Sequence, residues 1–548
     1  MLYTMKSITF DGTYFVIDSV EYGVPLTIVN HVSPTLITLS LLYMGPITGT
    51  SQYLVAGSND ITFQGTLFPP VVTSSIAYGG LIHNDSYTNI NVVNMHITAA
   101  FGVNPTLSPN SGWICHQNFG PNGLCSVTNC SSAMGITGNG GGIVGSNSSV
   151  NAVSCVSSGS INDGSGGIFG ASCFNCTASY CSSSGSIDNG SGGIYGQTCN
   201  LSATLNSCTA IGCFSTGAIG SDGSYNSGGI FGMNCNESTT ECTSSATNCF
   251  STGLIYGDFI GSNGGIFGGN SLLCDAINCY SVGNIGTGCG GIYRGGTQGT
   301  ATNCYSVGVI GGKAGGIFGE GSTFSTATSC YSTGSSIGSQ GGGIFGHNTT
   351  NSSTYNSYSV GAVGVDAGGI VGANATGGVV DFCYMTGGNT GGGSYDPGTY
   401  EIYGSDTTEC YISTCYSEDP TKGNIWNNYN ASTALHNNYK QQVWLIAFVG
   451  TPYLLASFSS NLGSNPGTIV GNQAPIGYSY YYILSPLNIT SNGAYTNSIL
   501  SGYYLEQQQN PLVSAPYSSN IFGYNILSYN VGVNVKQIVV VDGNLRKL

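Results

Sequence analysis

The sequence predicts an all-β chain: a right-handed parallel β-helix of coils about 26 residues long, with an N-terminal cap and a C-terminal β domain. Three observations carry this. A segment of the form C-Y-S-x-G-x-I followed by G-G-I-F-G recurs along most of the chain. Glycine numbers 88 of 548 residues and charged residues are only 6%, while 40% are hydrophobic, so turn and core material are plentiful and solvated helix faces are not. No long stretch places apolar residues at the 3.6-residue helical period.

Residues 1–50 read as the cap and the first strands. Their most apolar stretch, LITLSLLYMGPI (36–47), is too short to span a bilayer and contains Gly and Pro, so no membrane insertion is expected. The start, MLYTMKSITFDGTYF, lacks a basic region followed by an apolar one, so no signal peptide of the ordinary kind is expected. Residues 51–460 read as the repeats. Their anchors are Cys130, Cys155, Cys181, Cys213, Cys249, Cys279, Cys304, Cys330, Ser357, Cys383 and Cys415. The steps between them run 25, 26, 32, 36, 30, 25, 26, 27, 26 and 32 residues, a period with insertions, and insertions in a solenoid map to outer loops. Eleven anchors stacked at about 4.8 Å make a column on the order of 50 Å. TPYLLASF (451–458) reads as the closing strand. From 461 to 548 the repeat is gone, and Tyr-rich segments such as GYSYYYILSPLNIT read as strands of a separate β-rich domain.

Within a repeat, the restricted positions are expected to point inward and the drifting ones outward. Counted from the anchor, positions 0, 2 and 6 are mostly Cys, Ser and Ile. A second inward ladder is expected at the isoleucine of GGIFG: Ile143, Ile168, Ile194, Ile230, Ile266, Ile292, Ile317, Ile344 and Ile370. The position after the anchor drifts toward aromatic residues: Phe214, Phe250, Tyr280, Tyr305, Tyr331, Tyr358, Tyr384 and Tyr416. Facing out, these would form a stripe of stacked rings able to meet sugars or another subunit; the plainer alternative is stacking that only stabilises the ladder.

Charge excludes some functions. The net charge is −15, and no Lys or Arg lies between Lys6 and Arg294. A surface without cations cannot neutralise phosphates, so nucleic acid is not an expected partner of that half. GGKAGG around Lys313 departs from a Walker loop: Ala314 follows the lysine and Val307 stands where the first glycine belongs. Of 21 cysteines, several form C-x4-C pairs (125/130, 176/181, 208/213, 274/279, 410/415). A buried free-thiol ladder, disulfides between coils and a metal site all remain open, and free thiols would suit a reducing compartment. The repeat acids Asp163, Asp188, Asp222 and Asp366 are isolated in turns, and the densest acidic group is Asp396, Glu401, Asp406, Glu409, Glu418 and Asp419. Without a nearby cation that group reads as a solvated loop or a weak Ca²⁺ site rather than a catalytic pair. Cys115–His116, in a degenerate rung, reads as structural. No catalytic, cofactor-binding or metal-ligating residue is assigned.

The repeat resembles the GLUG-motif repeats of surface and adhesin-like proteins, with GGIFG in place of the GLVG-type core. C-Y-S-x-G-x-I joined to GGIFG also resembles the pectin-lyase-type β-helix repeat proteins of giant viruses of amoebae. SQYLVAGSNDITFQG (51–65), GLIHNDSYTNINVVNMHIT (80–98) and SGWICHQNFG (111–120) fit that group's first coils. The resemblance implies a non-enzymatic structural protein, virion-surface or fibre-like, located on the virion or outside the cell. Its implied partners are itself, as a homo-oligomer, other structural proteins, or glycans. A carbohydrate-active β-helix enzyme and a glycan-binding adhesin are the alternatives.

Overall fold

The computed structural model describes residues 59–65, 77–84, 87–120, 124–200, 207–221, 223–236, 244–258, 262–381, 383–385, 402–413 and 415–417, with further short strands before residue 57, at 71–72 and after residue 433. The fold is an all-β parallel solenoid of about 11 turns at about 27 residues per turn, with no helix among the described residues. The chain divides into two compact units, Met1–Gly299 and Thr300–Leu548.

One coil of the first unit shows how residue chemistry sets the path. Val150–Val153 is a strand; Ser154, at φ 54°, turns the chain; Val156–Ser157 is a second strand. Ile161 bridges to the next coil, Asp163 (φ 56°) carries another turn, and Gly166 and Phe169 bridge again. Ser172 (φ 57°) and Asn175 (φ 48°) complete the circuit. The corners thus fall at residues in the left-handed region, which short polar side chains tolerate best. Asparagine serves this purpose directly before the anchor at Asn129, Asn248, Asn278, Asn303 and Asn356. Stacked asparagines also bond along the axis: Asn129 Nδ2 donates to Asn94 Oδ1 at 2.7 Å, and Asn278 to Asn248 at 3.2 Å.

Coils stack in strict register. In the first unit Ala152, Ala178, Ala210, Ala246 and Ala276 pair in succession. So do Val156, Ser182, Phe214, Phe250 and Tyr280. In the second unit Tyr305, Tyr331, Tyr358, Tyr384 and Tyr416 pair likewise. The repeat pattern places the strands within C-Y-S-x-G-x-I and GGIFG. C-Y-S-x-G-x-I does hold a two-residue strand, as at Tyr280–Ser281, but the longer strand of a coil lies just before the cysteine, as at Cys274–Ile277, and GGIFG contributes only single bridges.

The core is built from ladders. The anchors Cys130, Cys155, Cys181, Cys213, Cys249, Cys279, Cys304, Cys330 and Cys383 are all buried, as are Ile168, Ile194, Ile230, Ile266, Ile317 and Ile344. Position 6 is buried too, from Ile161 to Ile310. GGIFG breaks the in–out alternation, because Phe169 is buried beside Ile168. The backbone N–H groups of both donate to the Ile194 carbonyl, at 3.0 and 2.9 Å, so the chain turns between them and both side chains point inward. The resulting second aromatic column, Phe169–Tyr195–Phe231–Phe267–Tyr293, stacks at centroid spacings of 4.6 to 4.9 Å.

Opposite the serine ladder (Ser157, Ser183, Ser215, Ser251, Ser281) stands a wall of glycine. A Cβ added to Gly193 would meet the Gly229 carbonyl, Ser183 Oγ at 2.8 Å and Ser215 Cβ at 3.0 Å. The two faces approach too closely for larger side chains, which is why the repeat keeps Ser on one and Gly on the other.

Toward the N-terminus, Leu36–Leu41 pairs in parallel with Ile61–Gln64 and antiparallel with Leu26–Ser33. Near the other end, Ile526–Tyr529, Lys536–Val541 and Asn544–Lys547 pair antiparallel in sequence. Most of 461–548 lies outside the described residues, as does all of 451–456.

Candidate functional site

The outer stripe expected after each anchor has a definite geometry. Phe214 stacks on Phe250 at 5.0 Å and 3°, and Phe250 on Tyr280 at 4.8 Å and 5°. In the second unit Tyr305 stacks on Tyr331 at 4.8 Å and 3°, and Tyr331 on Tyr358 at 4.9 Å and 12°. Phe214, Phe250, Tyr280, Tyr305 and Tyr331 are half-buried. Tyr358 departs from the outward expectation: it is 5% exposed, and nothing in its described pairing sets it apart from its neighbours. The side chains of Tyr384 and Tyr416 lie outside the described residues. Face-to-face stacking at this spacing is imposed by the rungs. It covers ring faces with other rings and leaves ring edges to solvent. Two positions beyond the rings stand exposed valines: Val282 in the first unit, and Val307 and Val360 in the second, each 43% exposed.

The described cysteines are all buried. Most anchor thiols donate to the carbonyl two residues earlier, as Cys130 does to Thr128 at 3.3 Å and Cys330 to Thr328 at 3.4 Å. Burial pushes the thiol of Cys115 well above its ordinary range and that of Cys289 up to about 12. Such thiols hold their protons and act as small apolar groups. The Cys115–His116 pair does not come together as nucleophile and base. Cys115 points into the core, while His116 Nδ1 lies 3.2 Å from His83 Nδ1 on the coil before.

Lys313 is a turn residue at φ 59°, the place filled in sibling coils by Asn139, Gly164, Gln340 and Asp366. Its backbone N–H donates to Ser339 and its carbonyl accepts from His347. Asp406 (φ 53°) and Glu409 (φ 56°) of the acidic group are turn residues too; Asp396, Glu401, Glu418 and Asp419 lie outside the described residues, as does Asp222. Among the described residues no group of three or more His, Cys, Asp and Glu is placed to hold a metal ion, and no helix is long and apolar enough to cross a membrane.

Three features escaped the sequence pattern. Glu320 Oε1 lies 3.0 Å from His347 Nδ1, and Asn374 Nδ2 lies 2.9 Å from His347 Nε2, a polar line over three coils. It follows the coil period but is formed by unlike residues, so no repeat marks it. A third inward ladder runs through Ser148, Cys173, Cys199, Cys235 and Ser271, four residues after the ring of GGIFG or its equivalent. Its hydroxyls cap the corner by bonding the carbonyl three residues back, as Ser148 does to Gly145 at 2.8 Å and Ser271 to Gly268 at 3.0 Å. The third, the alanine ladder before the anchor, was missed although it leaves a repeated A-x-x-C in the sequence.

No family model matches the chain, and no curated protein does. Among solved structures, the crystal structure of bacteriophage CBA120 tailspike protein 3 is similar at 10% sequence identity and a TM-score of 0.23. The match covers 73% of this chain and 53% of the tailspike, so this chain spans about half of that protein's length. The molecule is a parallel β-solenoid, which rests on the strand register given above.

Proposed function

We propose that this chain is a non-enzymatic structural protein, a fibre-like β-helix column displayed on a virion or elsewhere outside the cell. The observation that carries the proposal is the stacking of the outer rings on one another, at 4.8 to 5.0 Å and nearly parallel. Catalysis needs unlike groups gathered at one point. These outer faces instead repeat one chemistry from rung to rung, and their rings are occupied with each other. The resemblance of the repeat to those of giant viruses of amoebae supports the location. The partners that fit are further copies of the chain and other structural proteins. Mass spectrometry of purified particles from the source tests the location: the chain is expected among the abundant components, and its absence overturns this reading. Release of reducing ends from a panel of polysaccharides would overturn the non-enzymatic part.

A second reading, a glycan-binding adhesin, draws on the half-buried Tyr305 and Tyr331, whose ring edges face solvent. Sugars bind best to open ring faces, and the stacked geometry leaves these at the ends of a stripe. Glycan-array binding that vanishes in Tyr305→Ala and Tyr331→Ala would favour the adhesin over the structural column.

A further inference from the structure

Cys199 and Cys235 approach each other far more closely than the rung spacing requires. Many core thiols are held by backbone carbonyls, as Cys176 is by Phe174 at 3.4 Å and Cys274 by Leu272 at 3.3 Å, and others also interact with thiols of adjacent coils, as Cys181 does with Cys155 and Cys213. Cys199 and Cys235 turn toward each other, Sγ to Sγ at 2.8 Å, and both are fully buried. They occupy equivalent places on adjacent coils, since the Asn236 N–H donates to the Cys199 carbonyl and the Asn200 N–H to the Cys173 carbonyl. Rungs about 4.8 Å apart set their Cα atoms within the span a disulfide bridges.

The position is also singular in the sequence. Nine positions separate Cys199 from Cys208 and Cys235 from Ser244, where three separate Cys173 from Cys176 and Ser271 from Cys274. Two consecutive repeats thus carry six extra residues each, beginning in the sequence directly after one of these cysteines and its asparagine. The asparagines are coupled as well: Asn200 Nδ2 donates to Asn236 Oδ1 at 3.0 Å, and Ser244 Oγ to the same oxygen at 2.9 Å.

We propose that Cys199 and Cys235 are an oxidisable pair, converted by a peroxide or by a low-molecular-weight disulfide into one disulfide between adjacent coils. With peroxide, one thiol sulfur attacks oxygen, the O–O bond breaks, and a sulfenic acid and water form. The second thiol displaces hydroxide from that sulfur, the S–S bond forms, and a second water leaves with the remaining proton. Two thiols lose two electrons and the peroxide gains them. With a small disulfide, two exchange steps release two small thiols. The product joins two adjacent coils at Cys199 and Cys235. Burial makes the reaction slow in the folded chain and shelters the product from reductant.

The test uses the full chain, treated in separate arms with hydrogen peroxide and with glutathione disulfide, then unfolded in iodoacetamide without reductant. Pepsin replaces trypsin, because no Lys or Arg lies between Lys6 and Arg294. The expected result is a linked peptide joining Cys199 to Cys235, appearing before any other, with two of the 21 thiols lost. One productive arm identifies the oxidant class. Cys199→Ser should abolish the linkage and Cys173→Ser, in the same ladder, should retain it; serine fills this ladder at Ser148 and Ser271, so both variants should fold, with unchanged far-UV circular dichroism. The proposal is overturned if Cys199 and Cys235 stay reduced in both arms while the chain is native. It is also overturned if Cys208, Cys242 or Cys274 is linked in preference.

Discussion

Ser215 shows how far a single position can be constrained by its surroundings. Its hydroxyl is buried with no hydrogen-bond partner, as are those of Ser183, Ser251 and Ser281. A buried hydroxyl without a partner costs about 1–3 kcal/mol. Ser215→Ala should therefore match or exceed the wild type by about 1 kcal/mol, read from urea midpoints. A loss of similar size would reveal a hidden partner for the hydroxyl. Gly193→Ala tests the same wall from the other side. Its new Cβ meets the Gly229 carbonyl, which is backbone and cannot step aside, so the cost should lie at or above the top of the ~1–3 kcal/mol range for overpacking. Cys289 adds a pH dependence. Its thiol is raised from 9.0 to about 12 by burial, so the folded chain keeps a proton that the unfolded chain sheds. Stability from this group is complete below about pH 9 and falls as pH rises toward 12. Thermal melts across that window should show a falling midpoint, and an unchanged midpoint would refute the assignment.

At the scale of the element, the inner aromatic column joins two walls of a coil. Tyr195 Oη lies 2.7 Å from the Thr209 carbonyl and 3.0 Å from the Cys176 carbonyl, so its ring spans from the GGIFG corner to the strand before the anchor. Phenylalanine fills this column at Phe169, Phe231 and Phe267. Tyr195→Phe should keep the stacking and cost only the hydrogen bond, about 1 kcal/mol, whereas Tyr195→Ala should cost about 3–5 kcal/mol. Equal losses for the two would mean that the ring itself contributes little. The ladder of isoleucines was legible because one residue type recurs at one place. The corners were not, because the left-handed position accepts Asn, Ser, Tyr, Gln or Lys: Asn129, Ser154, Tyr180, Gln340 and Lys313 share a backbone conformation and no side-chain chemistry.

At the largest scale, each coil within a unit bonds chiefly to the coils before and after it, so stability should add coil by coil. Deleting 156–181 joins Cys155 to Ser182, the residue in register with Val156. The shortened chain should fold, with circular dichroism per residue unchanged. Deleting half a coil, 156–168, should not fold, because strands would then face corners. If the two deletions behave alike, stacking in register is not what holds the column.

The sequence alone determined the fold class, the coil length, and the residues of the cysteine and isoleucine ladders, because stacking repeats each choice at a fixed interval and periodicity survives in one dimension. Only the tertiary structure decided which way the rings after the anchors face, that their faces are covered by one another, and that Tyr358 is buried. These depend on how neighbouring coils cover a position. The structure also singled out Cys199 and Cys235 among so many cysteines. Composition counts thiols, but only the path of two adjacent corners turns one sulfur toward another.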